Sequence, residues 1–159
     1  MNEEAKKKLL RMIPHALYLL TSRANGRTAA ATVSWVTQAS FQPPLIAVGL
    51  KKDSRTFEVV QQAQSFALNF FGVGQKDIAQ KFFKHVEPEG NQLAGEVFEE
   101  SPVFKHPVFE GMAGFIECRA VGMVEKGDHV VVVAEVLEAE PGLAEGPLLL
   151  STTGWNYGG

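Results

Sequence analysis

Among its 159 residues the chain has a single cysteine, Cys118, so no disulfide can form within it. A structural zinc site is equally unsupported. Cys118 has no ligand cluster beside it, and His15, His85, His106 and His129 are scattered with no two at helical ligand spacing. No apolar run approaches the roughly 20 residues that span a bilayer. The start, Asn2-Glu3-Glu4-Ala5-Lys6-Lys7-Lys8, lacks the apolar core of a signal peptide. These absences lead to the expectation of a cytoplasmic protein with no membrane partner. The net charge is only -3, which gives no reason to expect nucleic acid. Internal repeats and low-complexity tracts are missing too. Gly72-Val73-Gly74 is followed by Gln75, so there is no Gly-x-Gly-x-x-Gly fingerprint. Any nicotinamide cofactor would therefore not sit on a Rossmann unit. A Gly-x-Ser-x-Gly elbow and a P-loop are also absent.

What is present fits one domain over residues 1–159: 45% hydrophobic residues to fill a core and 21% charged residues for a surface. Asn2 is placed to cap a first helix with Ala5, Leu9 and Ile13 on one face, ended by Pro14. Leu17–Thr21 reads as a strand, and Asn25-Gly26 is the strongest hairpin signal in the chain. A long strand is expected from Thr28 to about Ser40, then an apolar one from Leu45 to Leu50. A helix is expected from Asp53 or Ser54 to about Gln62, and a strand over Ser65–Phe71. Gln75–Lys84 looks helical, with Ile78, Ala79, Phe82 and Phe83 as its apolar face. His85 to Pro107 has no sustained period and reads as a long irregular segment. Met112–Val124 and Val130–Glu138 are strands joined by a turn, and Leu148–Leu150 reads as a short last strand. Antiparallel hairpins dominate, so closure into a barrel is the expected way to remove sheet edges. Val130–Ala134 is apolar on both faces, which suits a barrel interior on one side and a helix or second subunit on the other. Cys118 alternates with Ile116 and Ala120 and reads as a small buried residue.

Three places could carry chemistry. On the strand from Thr28 to Ser40, one face presents Thr28, Ala30, Thr32, Ser34, Val36 and Gln38. Small hydroxyls and alanines fill a core poorly but leave room, and hydrogen bonds, for a flat ligand; a solvated strand face is the other reading. The segment Lys51-Lys52-Asp53-Ser54-Arg55-Thr56 joins a strand to a helix start. Free first-turn amides, the helix dipole, two hydroxyls and a guanidinium there suit an anion, and plain helix capping is the alternative. Third is Gly127-Asp128-His129, a turn whose histidine backbone geometry does not require. It reads either as functional or as an exposed polar residue.

Taken together and in order, these features resemble the flavin reductase-like family of FMN-binding split barrels. The resemblance runs through Gly26, Thr32-x-Ser34-Trp35, Ser40-Phe41-Gln42-Pro43-Pro44, Ser54-Arg55-Thr56 and Phe66-Ala67-Leu68-Asn69. It continues through Gly127-Asp128-His129 and Pro147-Leu148-Leu149-Leu150 to Gly154. It spares the first helix and the stretch from His85 to Pro107. It implies a mainly β fold, a six-stranded antiparallel split β-barrel of Greek-key type with a few short helices. It further implies a homodimer, with Thr32, Val33, Ser34 and Trp35 along the flavin ring. Lys51, Ser54, Arg55 and Thr56 are implied at the phosphate, and His129 near the nicotinamide. The expected activity is NAD(P)H-dependent flavin reduction, with NADH or NADPH as donor and a partner oxygenase or other electron acceptor. A flavoredoxin-like electron carrier with tightly bound FMN is the alternative, and a barrel for haem or pyridoxal phosphate a third. The ending Gly154-Trp155-Asn156-Tyr157 departs from the family's commoner basic tail. Its role stays open between closing the barrel and touching the flavin edge.

Overall fold

The computed structural model describes residues 1–159. In chain order the elements are α1 (Glu3–Leu10), β1 (Tyr18–Ala24), β2 (Arg27–Val33), β3 (Val36–Ser40), β4 (Leu45–Lys51), α2 (Arg55–Ala63) and β5 (Ser65–Phe70). Next come α3 (Lys76–Lys81), β6 (Gln92–Leu93), β7 (Glu96–Val97), β8 (Glu99–Glu100), β9 (Pro107–Val108), β10 (Gly114–Val124) and β11 (His129–Pro141). No helix is long and apolar enough to cross a membrane.

The main sheet is antiparallel, in the order β2-β1-β5-β10-β11-β4-β3. Its two edge strands, β2 and β3, are consecutive in the chain. The ribbon that pairs with β1 crosses over and pairs with β4, which closes the sheet on itself. The seven strands are thus six staves, one of them broken. This corrects the expectation of one unbroken strand from Thr28 to Ser40. The break lies at Ser34-Trp35, where the Val36 amide donates to the Ser34 carbonyl at 3.1 Å in a three-residue turn. The Gly49 amide of β4 then donates to the Trp35 carbonyl at 2.9 Å, and the chain goes on as β3 beside β4.

Alternation along the staves sends Leu20, Val48, Leu50, Phe66, Leu68, Cys118, Val130, Val132 and Ala134 into the barrel. Helix α2 adds Phe57 and Val60 to this core. Val130, Val132 and Ala134 are buried as expected of that strand, whereas Val131 is exposed on the outer face. A second core of Leu17, Leu19, Phe71, Phe82, Phe98 and Phe109 lies under α3 and the segment after it. The β1–β2 hairpin turns at Asn25 (φ 52) and Gly26 (φ 74), the left-handed pair that Asn-Gly tolerates.

Three expected elements come out shorter. α3 stops at Lys81 because its last carbonyls turn to β2. Ala79 O accepts from Thr32 Oγ1 (2.7 Å) and Phe82 O from the Thr32 amide (3.2 Å). Leu148–Leu150 is a single bridge, Ala16 to Leu149, running into a 3₁₀ turn over Leu150–Thr152. Thr152 and Thr153 hydroxyls bond the carbonyls of Leu149 and Leu150, which curls the chain out of the strand. α1 is capped by Asn2 as expected, yet Leu9 and Ile13 of its apolar face are exposed. Its Arg11 Nε instead holds the Gly158 carbonyl at 3.1 Å.

Candidate functional site

Where the broken stave leaves the barrel wall, a cavity of about 550 Å³ opens. Its polar lining comes from the turn between β4 and α2: Lys51, Ser54 and Thr56. Leu17, Ala31, Val33, Phe82, Phe83, Leu150 and Trp155 give it apolar walls, and Thr32, Ser34, Asn156 and Tyr157 add polar atoms. Broad apolar walls with a few convergent polar groups are the makeup of a small-molecule site.

Ser54 caps α2: its Oγ accepts from the Phe57 amide at 3.1 Å, so its own O–H remains to donate. The amides of Arg55 and Thr56 stand in the first turn, where no carbonyl of the helix can meet them. Arg55 lies between two lining residues. One of its terminal nitrogens pairs with Glu87 at 2.9 Å, while its Nε is buried with no partner. A buried guanidinium N–H without an acceptor is costly unless something fills the place. Arg55 and His85 both draw on Glu87, and the hydrogen bond from His85 is the main reason its carboxyl is held below the usual range.

At the end of β2 and the break after it, the four residues Thr32 to Trp35 differ in what they offer. The Thr32 hydroxyl is committed to Ala79 O. Ser34 is a largely buried residue on the cavity wall, and its hydroxyl makes no hydrogen bond within the chain. Val33 contributes a wall. Trp35 does not line the cavity but packs over β4, against His129 (centroids 4.5 Å) and Tyr157 (5.1 Å). Gly49 leaves room beneath it, since a Cβ there would come to 3.0 Å from the Trp35 ring.

His129 is not an isolated surface histidine. Its Nδ1 lies 2.9 Å from Asp128 Oδ1 and its Nε2 2.8 Å from the Tyr157 hydroxyl. The side chain is 16% exposed, and it reaches the cavity only through Tyr157. The structure therefore brings Thr32, Val33, Ser34, Lys51, Ser54 and Thr56 to one cavity and sets Arg55, Trp35 and His129 around it.

The tail is the part that residue patterns did not assign. Trp155 packs edge-on to Phe83 at 4.7 Å under the Lys76 ammonium, and Gly158 lies against Trp35 at φ +92. Four tail residues in sequence carry no period. The only hint was Trp155 and Tyr157 flanking an Asn, two residue types that the chain uses only twice each.

A flavin mononucleotide fits this donor set. It needs an apolar slot for a flat ring, hydrogen-bonding atoms at the ring edge, and donors for a phosphate. The slot, Ser34, and the Ser54–Thr56 turn with the orphaned Arg55 Nε answer those needs.

Comparison with known proteins agrees with the architecture. The chain is 30% identical over 140 residues to diflavin flavoprotein A 1 of Synechocystis, covering 87% of this chain and 24% of that one. It is 32% identical over 124 residues to the reductase subunit of stachydrine N-demethylase of Rhizobium meliloti, covering 77% of this chain and 52% of that one. The chain thus spans only a quarter to a half of the length of these relatives. The NADH:FAD oxidoreductase of Streptomyces globisporus has the same fold, with a TM-score of 0.76 at 21% identity over 88% of this chain and 84% of that one. The family model for the flavin reductase like domain matches residues 10–158, nearly the whole barrel and its tail, and the chain belongs to that family.

Proposed function

We propose that this protein is an NAD(P)H-dependent flavin reductase that holds FMN in the cavity beside β2 and α2. The observation that carries this reading is the unpartnered, buried Arg55 Nε at the start of α2, between cavity-lining Ser54 and Thr56. A phosphate monoester is close to doubly negative at neutral pH. The helix start, the two hydroxyls, Lys51 and the guanidinium supply charge-assisted donors for it. Glu87 holds the guanidinium meanwhile and gives way to the stronger acceptor. Ser34 and the strand amides near it face the ring edge. Trp35 sets the turn that frees those amides, and His129 stands at the nicotinamide side behind Tyr157.

When bound, FMN accepts two electrons from the nicotinamide as a hydride, and the protein needs to supply only position and electrostatics. No catalytic triad or metal cluster is called for. The acceptor of the electrons is a partner oxygenase or another electron-accepting protein; the Rhizobium relative is named as a reductase subunit. We also place a homodimer contact on the outer face of β10 and β11, where the paired Val124 and Val131 are both exposed. Light scattering should read about twice the 17.3 kDa chain mass; a monomer with flavin bound would rule that contact out.

The cofactor assignment is tested by two proteins against two ligands in fluorescence titrations at fixed salt. Arg55→Ala should weaken FMN by about 1.5–3 kcal/mol, the range for hydrogen bonds to a charged group. Riboflavin, which has no phosphate, should bind both proteins alike. Equal losses for the two ligands would move the phosphate elsewhere. Bleaching of bound flavin by NADH or NADPH then tests the reductase activity.

A further inference from the structure

Reduction of a flavin by a nicotinamide consumes one proton beyond the hydride. NAD(P)H, flavin and a proton go to NAD(P)⁺ and dihydroflavin, the nicotinamide being oxidised and the flavin reduced. The cavity walls are largely apolar, and few of the chain's groups can deliver that proton. One chain of hydrogen bonds does lead out of it. Tyr157 lines the cavity, its hydroxyl is 2.8 Å from His129 Nε2, and His129 Nδ1 is 2.9 Å from Asp128 Oδ1. Asp128 is 92% exposed, so the line runs from cavity to solvent in three side chains.

The chemistry of each member sets the direction. A carboxylate only accepts, so Nδ1 carries its hydrogen toward Asp128. When the imidazole is neutral, Nε2 accepts and the Tyr157 O–H donates to it. When the imidazole is charged, Nε2–H donates to the Tyr157 oxygen, and the phenol hydrogen is free to point into the cavity. Burial pushes the Tyr157 phenol above its usual range, so it passes protons on and does not stay ionised. The hydrogen bond from His129 holds the Asp128 carboxyl below its usual range, keeping an acceptor at the solvent end. The other charges near His129 are paired. Lys51, directly across from it on β4, is 3.2 Å from Asp53, and Lys52 is 3.2 Å from Glu125.

Packing holds the line in place from both sides. Trp35 touches the His129 and Tyr157 rings together. Beyond Tyr157, Gly158 lies flat on Trp35, where a Cβ would come within 3.1 Å of the ring, and its carbonyl is held by Arg11. Such fixing is more than a loose C-terminal tail needs.

We propose that Tyr157, His129 and Asp128 form a proton relay that serves the bound flavin from solvent. The proposal rests on the flavin reductase reading above. In the relay step the Tyr157 O–H bond breaks as an N–H bond forms on the reduced ring. The His129 Nε2–H bond breaks as the Tyr157 O–H bond re-forms. The neutral ring left behind keeps its hydrogen on Nδ1 against Asp128, which holds its orientation, so a solvent proton recharges it at Nε2, and no other co-reactant is needed.

The test uses flavin-loaded protein, NADH and a pH indicator in weak buffer, with flavin bleaching and proton uptake followed together by stopped flow. In the parent protein the two traces coincide. In Tyr157→Phe, which keeps the ring packing, the proton trace should lag the bleaching trace by about tenfold or more, the scale of a lost proton-transfer group. Imidazole nitrogen NMR on flavin-free protein gives a readout that does not depend on turnover. The His129 Nε2 signal should shift in Tyr157→Phe, and Asp128→Asn should move the neutral ring toward the Nε2–H form. Coincident traces in Tyr157→Phe, or unmoved His129 signals, overturn the relay and leave the reductase reading standing. Bound flavin that NADH does not bleach in the parent overturns the reductase reading, and the relay with it.

Discussion

Two polar clusters lie in this barrel, and they differ in whether their atoms have partners. The first surrounds Glu117, which is fully buried. Its carboxylate accepts from the Val103 amide (2.9 Å), the Phe104 amide (2.6 Å) and the Ser101 hydroxyl. Ser101 Oγ in turn accepts from the His106 amide at 2.8 Å. His106 Nδ1 accepts from the Arg23 amide at 3.1 Å, so the neutral ring carries its hydrogen on Nε2 and gives it to Ser65 Oγ at 2.9 Å. Every member is met within the chain. The second cluster is the turn at Ser54, Arg55 and Thr56, with Ser34 across the cavity, and there donors stand unmet. A Ser-His-Glu set looks like catalytic machinery on paper, yet it ties the segment 99–108 to β5 and β10. Unmet donors, not the richest list of titratable groups, are what single out the candidate site.

This contrast can be broken from either side. Glu117→Ala should have the largest effect. It strands two amides and a hydroxyl in the interior and should cost about 3–5 kcal/mol of stability, the scale for removing one partner from a buried charged network. Chemical denaturation would show it, while Arg55→Ala in the same experiment should cost about 1 kcal/mol or less, because it breaks only the half-exposed pair with Glu87. Comparable losses would erase the distinction between the clusters.

Acid should act next, through the same network. Burial pushes the His106 imidazole down to about 4 from an ordinary 6.5. The unfolded chain therefore binds a proton there before the folded one does, and the stability that the neutral ring confers is present above pH 6.5. It is lost as pH falls from about 6.5 to about 4, by ~3 kcal/mol at most. Denaturation midpoints across that range should fall in the parent, and the His106 part of the slope should vanish in His106→Gln. An unchanged slope in the variant would place the titration elsewhere.

The smallest expected effect is at the cavity. Ser34→Ala removes only the hydroxyl and should leave stability nearly alone, because that hydroxyl has no partner within the chain. FMN affinity should drop by about 1–2 kcal/mol for the lost hydrogen bond. Unchanged affinity in a titration would mean that the ligand does not use Ser34.

Much of this molecule was legible from local pattern. The Asn25-Gly26 turn, the Ser54 cap of α2 and the alternation of Val130, Val132 and Ala134 follow from backbone preference and period. Neighbouring residues decide such features, so a sequence displays them. The turn at Lys51–Thr56 was legible as a capped helix start with free donors for the same reason. Other features depend on partners distant in the chain. At the break of the stave Trp35 packs onto Gly49, and at the end of α3 the Thr32 hydroxyl takes the Ala79 carbonyl. Glu117 and His106 read as ordinary polar residues until the fold buries them together. Tyr157 joins His129 across 28 residues of chain with no periodic signal between them. Local geometry and hydrophobic period were therefore set by the sequence itself. Which hydroxyl is free, which guanidinium nitrogen is orphaned and which ring reaches the cavity were decided only by tertiary packing, because a hydrogen bond's partner is chosen by distance in space and not along the chain.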